Sequence, residues 1–223
     1  MRFRDRTDAG QQLAARLTEY AGRADVLVLG LPRGGVPVAY EVATALEAPL
    51  DVWLVRKLGV PSQPELAMGA IASGGVEILS RALISDLGIP DAVVEQVAAG
   101  ERRELARREA LYRGTRPPAL IRDRAVILVD DGLATGSTME AAILAVRQHA
   151  PARVVVAAPV GARDTCARLA GVADAVVCAS TPEWFTAVGS WYDDFSQTSD
   201  DEVARLLERA AAAPDSSTRP SPA

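Results

Sequence analysis

Apolar residues in this chain fall into two patterns that alternate along its length. Short, mainly apolar runs, at 26–29, 51–55, 126–129, 153–158 and 173–178, have the length and make-up of buried strands. Between them lie segments with helical spacing. The first covers 8–21 with Leu13, Leu17 and Tyr20 on one face, and others cover 36–46, 91–112, 162–169 and 200–212. A further helix follows the 126–129 run and reaches to about residue 150. A hairpin is predicted from 67–72 and 76–79, which are parted by Ser73-Gly74-Gly75. No internal repeat is visible. Strands alternating with helices at these lengths predict an α/β fold with a parallel, doubly wound sheet. Ligands of such sheets bind beyond the carboxyl ends of the strands.

One of those ends carries concentrated chemistry. The run Val126-Ile-Leu-Val129 closes on Asp130-Asp131 and continues through Gly132 and Leu133 into Ala134-Thr135-Gly136-Ser137-Thr138. Small residues opening a helix offer backbone N–H groups and hydroxyls, which suit a phosphate dianion. Ionised Asp130 and Asp131 accept hydrogen bonds only and would repel that phosphate. They suit ribose hydroxyls, or Mg²⁺ reached through water. Sugar hydroxyls, a metal and a terminal phosphate in a row describe a phosphoribosyl ligand. No lysine follows the glycine, so the loop is not a Walker A sequence, and G-x-G-x-x-G is absent.

The stretch Val126 to Met139 resembles the phosphoribosyl-pyrophosphate (PRPP) motif of type I phosphoribosyltransferases. That resemblance implies an α/β fold of the type I kind with a small C-terminal hood, from which this sequence departs by an unusual helical insertion. It also implies Mg²⁺ and PRPP as ligands. A single domain over 1–212 is then expected, with the insertion at 81–118 and the hood at 180–200. The Pro/Ser-rich residues 213–223 are expected to be a disordered tail.

Three more segments fit the same reading. Gly30-Leu-Pro-Arg-Gly-Gly35 puts Arg33 between a proline and two glycines, where the Gly34 and Gly35 amides can approach a pyrophosphate and Arg33 can pair with it. The family carries its pyrophosphate loop here, which implies a cis peptide between Pro32 and Arg33. Arg56 and Lys57 close the 51–55 run, and Lys57 is the only lysine among 24 basic residues. A compact ammonium on a flexible stem can follow a departing pyrophosphate. In adenine-type relatives this basic pair leads into a mobile catalytic loop, which in some relatives serves a neighbouring subunit, so a homodimer is expected.

Finally, residues 184–195 hold two of three tryptophans and two of three phenylalanines. Trp184, Phe185, Trp191 and Tyr192 could stack a nucleobase, and Asp194 could accept its exocyclic N–H. The spacing of Phe185, Ala187, Val188, Gly189, Tyr192, Asp194 and Phe195 is similar to a bacterial branch of the family. Ala134 stands where 6-oxopurine enzymes carry an acid, which speaks against hypoxanthine, guanine and xanthine.

Composition narrows the partners. A net charge of −5 argues against nucleic acid. Arg102, Arg103, Arg107 and Arg108 alternate with Glu101, Glu104 and Glu109, the pattern of a salt-bridged helix face. Cys166 and Cys178 make no disulfide framework, and the single histidine, His149, argues against zinc or a histidine triad. No apolar run spans a membrane and the N-terminus lacks a signal-peptide core, so a cytoplasmic protein is expected.

The expected function is transfer of the 5-phosphoribosyl group from Mg²⁺–PRPP to a nitrogenous base. Asp130, Asp131, Lys57 and Arg33 would carry the chemistry, with Arg33 to Gly35 and Ala134 to Thr138 binding PRPP. The alternatives are a PRPP- or nucleotide-sensing protein without catalysis, and a hydrolase or phosphorylase acting on a phosphoribosyl compound.

Overall fold

The computed structural model describes residues 2–212, and the predicted tail at 213–223 lies outside the described residues. Five parallel strands form the main sheet: β1 (Val26–Gly30), β2 (Leu50–Val52), β6 (Ala125–Val129), β7 (Arg153–Val160) and β8 (Ala175–Ser180). Their spatial order is β2-β1-β6-β7-β8. Three strands make a smaller antiparallel sheet: β3 (Val55–Val60), β4 (Gln63–Ala72) and β5 (Val76–Leu79). The helices are α1 (Arg6–Ala14), α2 (Gly35–Leu46), α3 (Arg81–Asp86), α4 (Asp91–Arg113), α5 (Ser137–Arg147), α6 (Arg163–Leu169) and α7 (Asp200–Ala212).

The period of two along each strand divides the core. Leu27, Leu29, Val126, Leu128, Val154 and Val156 pack against Met139, Ala142, Ile143 and Val146 of α5. Their neighbours Val26, Val28, Ile127, Val129, Val155 and Ala157 face Leu13 of α1 and Val38, Val42 and Leu46 of α2. Both faces are therefore dry, which is why β1 and β6 are apolar without interruption. The chain leaves β1 outward for β2, then returns to place β6 on the other side of β1. Gly30 pairs with Val129, so the carboxyl ends of β1 and β6 open side by side at the point where the winding reverses.

Several expectations need correction. The predicted 51–55 strand is two strands: β2 ends at Val52, the Trp53 amide still bonds to the Gly30 carbonyl, and the chain then turns into β3. Arg56 and Lys57 consequently lie inside β3, paired with Ile71 and Ala70 of β4, and do not close a parallel strand. An apolar run cannot show the break, because Trp53 and Leu54 stay buried in the connection. The first helix starts earlier and stops sooner than predicted. Asp5 caps it by accepting the Asp8 amide at 2.8 Å, and a 3₁₀ turn at Thr18–Tyr20 keeps Leu17 and Tyr20 in the core.

The predicted insertion is bound to the body of the protein. Val94, Ala98, Leu105 and Tyr112 of α4 pack with β3, β4 and α7. Arg113 reaches the sheet edge, where its Nε bonds both oxygens of buried Asp51 at 2.9 and 3.1 Å and its Nη2 bonds the Val52 carbonyl. The predicted salt-bridged face is present, with Glu104 gripping Arg107 and Arg108, and Arg102 joining Glu95 to Glu77 of β5.

Candidate functional site

At the end of β1 the chain turns through Leu31-Pro32-Arg33-Gly34 into α2, and the Pro32–Arg33 peptide is cis. At the end of β6 it turns through Asp130 and Asp131. The two turns touch because two residues lack side chains. A Cβ on Gly34 would stand 2.0 Å from Asp131 Oδ2. One on Gly35 would stand 2.6 Å from the Val129 carbonyl oxygen and 2.9 Å from the Asp130 Cα. A basic, glycine-lined loop and a carboxylate pair thus share one crevice.

The two carboxylates are in different situations. Asp130 Oδ1 accepts the Asp131 amide at 2.9 Å and has no cationic side chain as partner among the described residues. Burial, and then the negative charge of Asp131, raise its proton affinity well above the ordinary carboxylate range. Asp131 is also pushed up by burial, but the Arg6 guanidinium opposes the shift. Arg6 donates to Asp131 Oδ2 from Nε at 2.9 Å and lies 2.8 Å away through Nη2.

Arg6 was not among the expected residues. It comes from the first turn of α1, donates from Nη1 to the Ser196 carbonyl at 2.7 Å, and lies 4.1 Å from the Phe195 ring centre. Tyr192 holds the backbone of the same residue, its hydroxyl donating to the Asp131 main-chain carbonyl at 2.6 Å. Burial and the Asp131 charge hold the Tyr192 proton on, so it stays a donor. Nothing in the local spacing around Arg6 marks it, since its partner is 125 residues away.

The loop from Ala134 to Thr138 leads into α5. Ala134, Thr135, Ser137 and Thr138 are exposed, and Thr135 and Ser137 share a hydroxyl hydrogen bond of 3.1 Å. The back of the loop is held by α6. Thr165 donates to the Ala134 carbonyl at 2.6 Å, and Arg168 bonds the Thr135 carbonyl and Glu140.

The remaining expected residues divide by location. Trp184 is 83% exposed. Phe185 and Trp191 pack in a satellite cluster with Phe3 and Tyr192, which is buried rather than open for stacking. Asp194 is exposed and its carboxylate accepts the Ser196 amide. The N-terminal segment fastens this hood, because Phe3 and Arg4 exchange backbone bonds with Trp191, Asp193 and Asp194 at 2.8 Å. Arg56 pairs with Glu101 of α4, and exposed Lys57 bonds to nothing in 130–138 among the described residues.

A metal is left two carboxylates. Among the described residues no group of three or more His, Cys, Asp or Glu side chains could hold an ion. That donor set fits Mg²⁺ kept mainly by ligand phosphates and water, with Asp130 and Asp131 in the outer shell.

The family profile of the phosphoribosyl transferase domain matches residues 4–195, covering both turns, the loop and most of the hood. The chain belongs to the phosphoribosyl transferase family. Two Mycobacterium tuberculosis proteins, from strains CDC 1551 and H37Rv, bear the provisional name phosphoribosyl transferase and are 51% identical to it over 208 residues. Those residues are 93% of this chain and 47% of each relative, so this chain spans about half the length of the curated relatives it matches. The crystal structure of TT1426 from Thermus thermophilus is 46% identical and superposes with a TM-score of 0.83, over 94% of this chain and 99% of that one. Among the described residues of this phosphoribosyltransferase-family chain, no helix is long and apolar enough to cross a membrane.

Proposed function

We propose that this chain moves the 5-phosphoribosyl group of Mg²⁺–PRPP to a nitrogenous acceptor and releases pyrophosphate. The observation that supports it most is the contact between the Arg33–Gly35 turn and the Asp130–Asp131 pair across the β1/β6 switch point. The Ala134 to Thr138 amides and hydroxyls take the 5′-phosphate, beside the start of α5. Asp130 and Asp131 accept from the 2′- and 3′-hydroxyls and stabilise the positive charge that grows on the ribose as the C1 bond breaks. Arg33 and the Gly34 and Gly35 amides hold the departing pyrophosphate, and Lys57 follows it from the β3–β4 hairpin. Mg²⁺, when bound, neutralises charge on the leaving pyrophosphate. Trp184 offers an open face for a planar acceptor. A homodimer acting in the cytoplasm completes the proposal.

Calorimetric titration with PRPP, with and without Mg²⁺, tests the site. Saturable Mg²⁺-dependent binding that disappears in Asp131→Asn supports it, and absence of binding to folded protein refutes it. Pyrophosphate release on adding bases, lost in the Asp130→Asn/Asp131→Asn double variant, supports transfer. Binding without release under any acceptor marks a sensor, and release with no acceptor added marks a hydrolase.

A further inference from the structure

Two groups that the proposed chemistry does not use stand close together behind the phosphate loop. Cys166 of α6 and Cys178 of β8 are free thiols, both half-buried, with their sulfurs 3.3 Å apart. They meet against Gly161, where a Cβ would lie 2.5 Å from the Cys166 sulfur and 3.0 Å from the Cys178 sulfur. The neighbours of the pair lead directly to the loop. Thr165, next to Cys166, donates to the Ala134 carbonyl, and Arg168 on the same short helix holds the Thr135 carbonyl. Gly161 itself bridges to Leu133, immediately before Ala134.

We propose that Cys166 and Cys178 form a redox modification site at which a small-molecule disulfide converts the pair to an internal disulfide, loosening the Ala134 to Thr138 loop. The Cys166 thiolate attacks one sulfur of the reagent and expels its other half as a thiolate. Cys178 then gives up its proton, attacks the Cys166 sulfur and expels the second thiol. Two protein thiols are oxidised, one disulfide reagent is reduced to two thiols, and both protons end on those thiols or in solvent. The order follows from the environment. The hydrogen bond between the two thiols lowers the proton affinity of Cys166, while that bond and burial raise the proton affinity of Cys178.

A disulfide requires sulfurs about 2.05 Å apart, so the pair must close by more than an ångström. β8 is an edge strand of the sheet, and α6 is seven residues long. Drawing Cys166 toward β8 pulls on Thr165 and Arg168, the two side chains that hold the loop carbonyls.

The test uses the full, reduced chain and oxidised glutathione. Intact mass without reductant should show loss of two hydrogens and of both free thiols in the wild type, with no lasting adduct. Cys178→Ser should instead retain one glutathione, on Cys166. Amide exchange over 133–138 should then rise by roughly threefold or more on oxidation and return with reductant, in the wild type only. A persistent adduct on the wild type, or no reaction at Cys166, overturns the site. Unchanged exchange at the loop in the oxidised protein overturns the coupling. Neither readout requires PRPP, so both are separable from the proposed transferase activity. Where PRPP binds, oxidation should weaken it on the order of tenfold, since misplacing a ligand-binding loop by about an ångström is costly.

Discussion

Replacing Gly34 with alanine isolates the role of the Asp131 carboxylate. The backbone at Gly34 has φ −62°, so alanine fits there without strain, and losing a glycine stiffens the unfolded chain by about 0.4–1 kcal/mol in favour of folding. The added Cβ would stand 2.0 Å from Asp131 Oδ2, which must swing away. That breaks the contact with Arg6, a pair whose side chains are only 12% and 16% exposed. Its loss costs about 1.5–3 kcal/mol, offset in part by the stiffer chain, so Tm should fall by roughly 2–8 °C.

Ligand binding should suffer far more. A hydrogen bond to a charged acceptor contributes about 1.5–3 kcal/mol, so PRPP should bind roughly 10- to 150-fold more weakly. Calorimetry and thermal melts on one preparation give both quantities. Gly35→Ala is the control, because its Cβ meets the Val129 carbonyl and the Asp130 Cα, backbone that cannot rotate aside. It should lose more stability than Gly34→Ala. PRPP affinity within about twofold of wild type in a folded Gly34→Ala protein would refute the reasoning, since that is under 0.5 kcal/mol.

Other perturbations follow from the same geometry. Arg113→Met should cost about 3 kcal/mol in urea unfolding, the lower end for a broken buried pair, because Asp51 keeps the Val52 and Ala119 amides. Pairing it with Asp51→Asn, which removes the buried charge and still offers an acceptor to one of the two amides, should recover part of that loss, and no recovery would argue against charge burial as the cause. Asp130→Asn should raise the Tm of the ligand-free protein while removing PRPP binding. The folded-state pKa of Asp130 is raised, so its cost is absent below the unfolded value of about 3.9 and grows as pH climbs through the folded value. The Tm gain should accordingly be near zero at about pH 4 and larger toward neutrality, and a gain independent of pH would contradict this account. Arg6→Ala should free Tyr192 to Ser196, seen as faster amide exchange there; unchanged exchange would show that Arg6 does not hold the hood.

Much of this protein could be read from the chain alone, where the deciding physics is local. Unbroken apolar runs predict β1, β6 and β7, because a strand dry on both faces has no polar position to interrupt it. The Asp130 to Thr138 stretch carries its chemistry in consecutive residues, and the cis peptide at Pro32–Arg33 was implied by the family resemblance of its loop. The division of 51–60 into β2 and β3 was not legible, since a buried connection and a buried strand have the same composition.

The tertiary structure alone decided which distant groups meet. Strand order brings the β1 and β6 turns together, and the return of the N-terminal segment to the hood places Arg6 on Asp131, 125 residues away. The docking of α4 on the sheet edge gives Asp51 its Arg113, and the adjacency of α6 and β8 gives Cys166 its Cys178. Residue spacing encodes which face a side chain takes on its own element. Which element lies opposite is set by the packing of the whole core, and it is there that charges, hydroxyls and thiols acquire their partners.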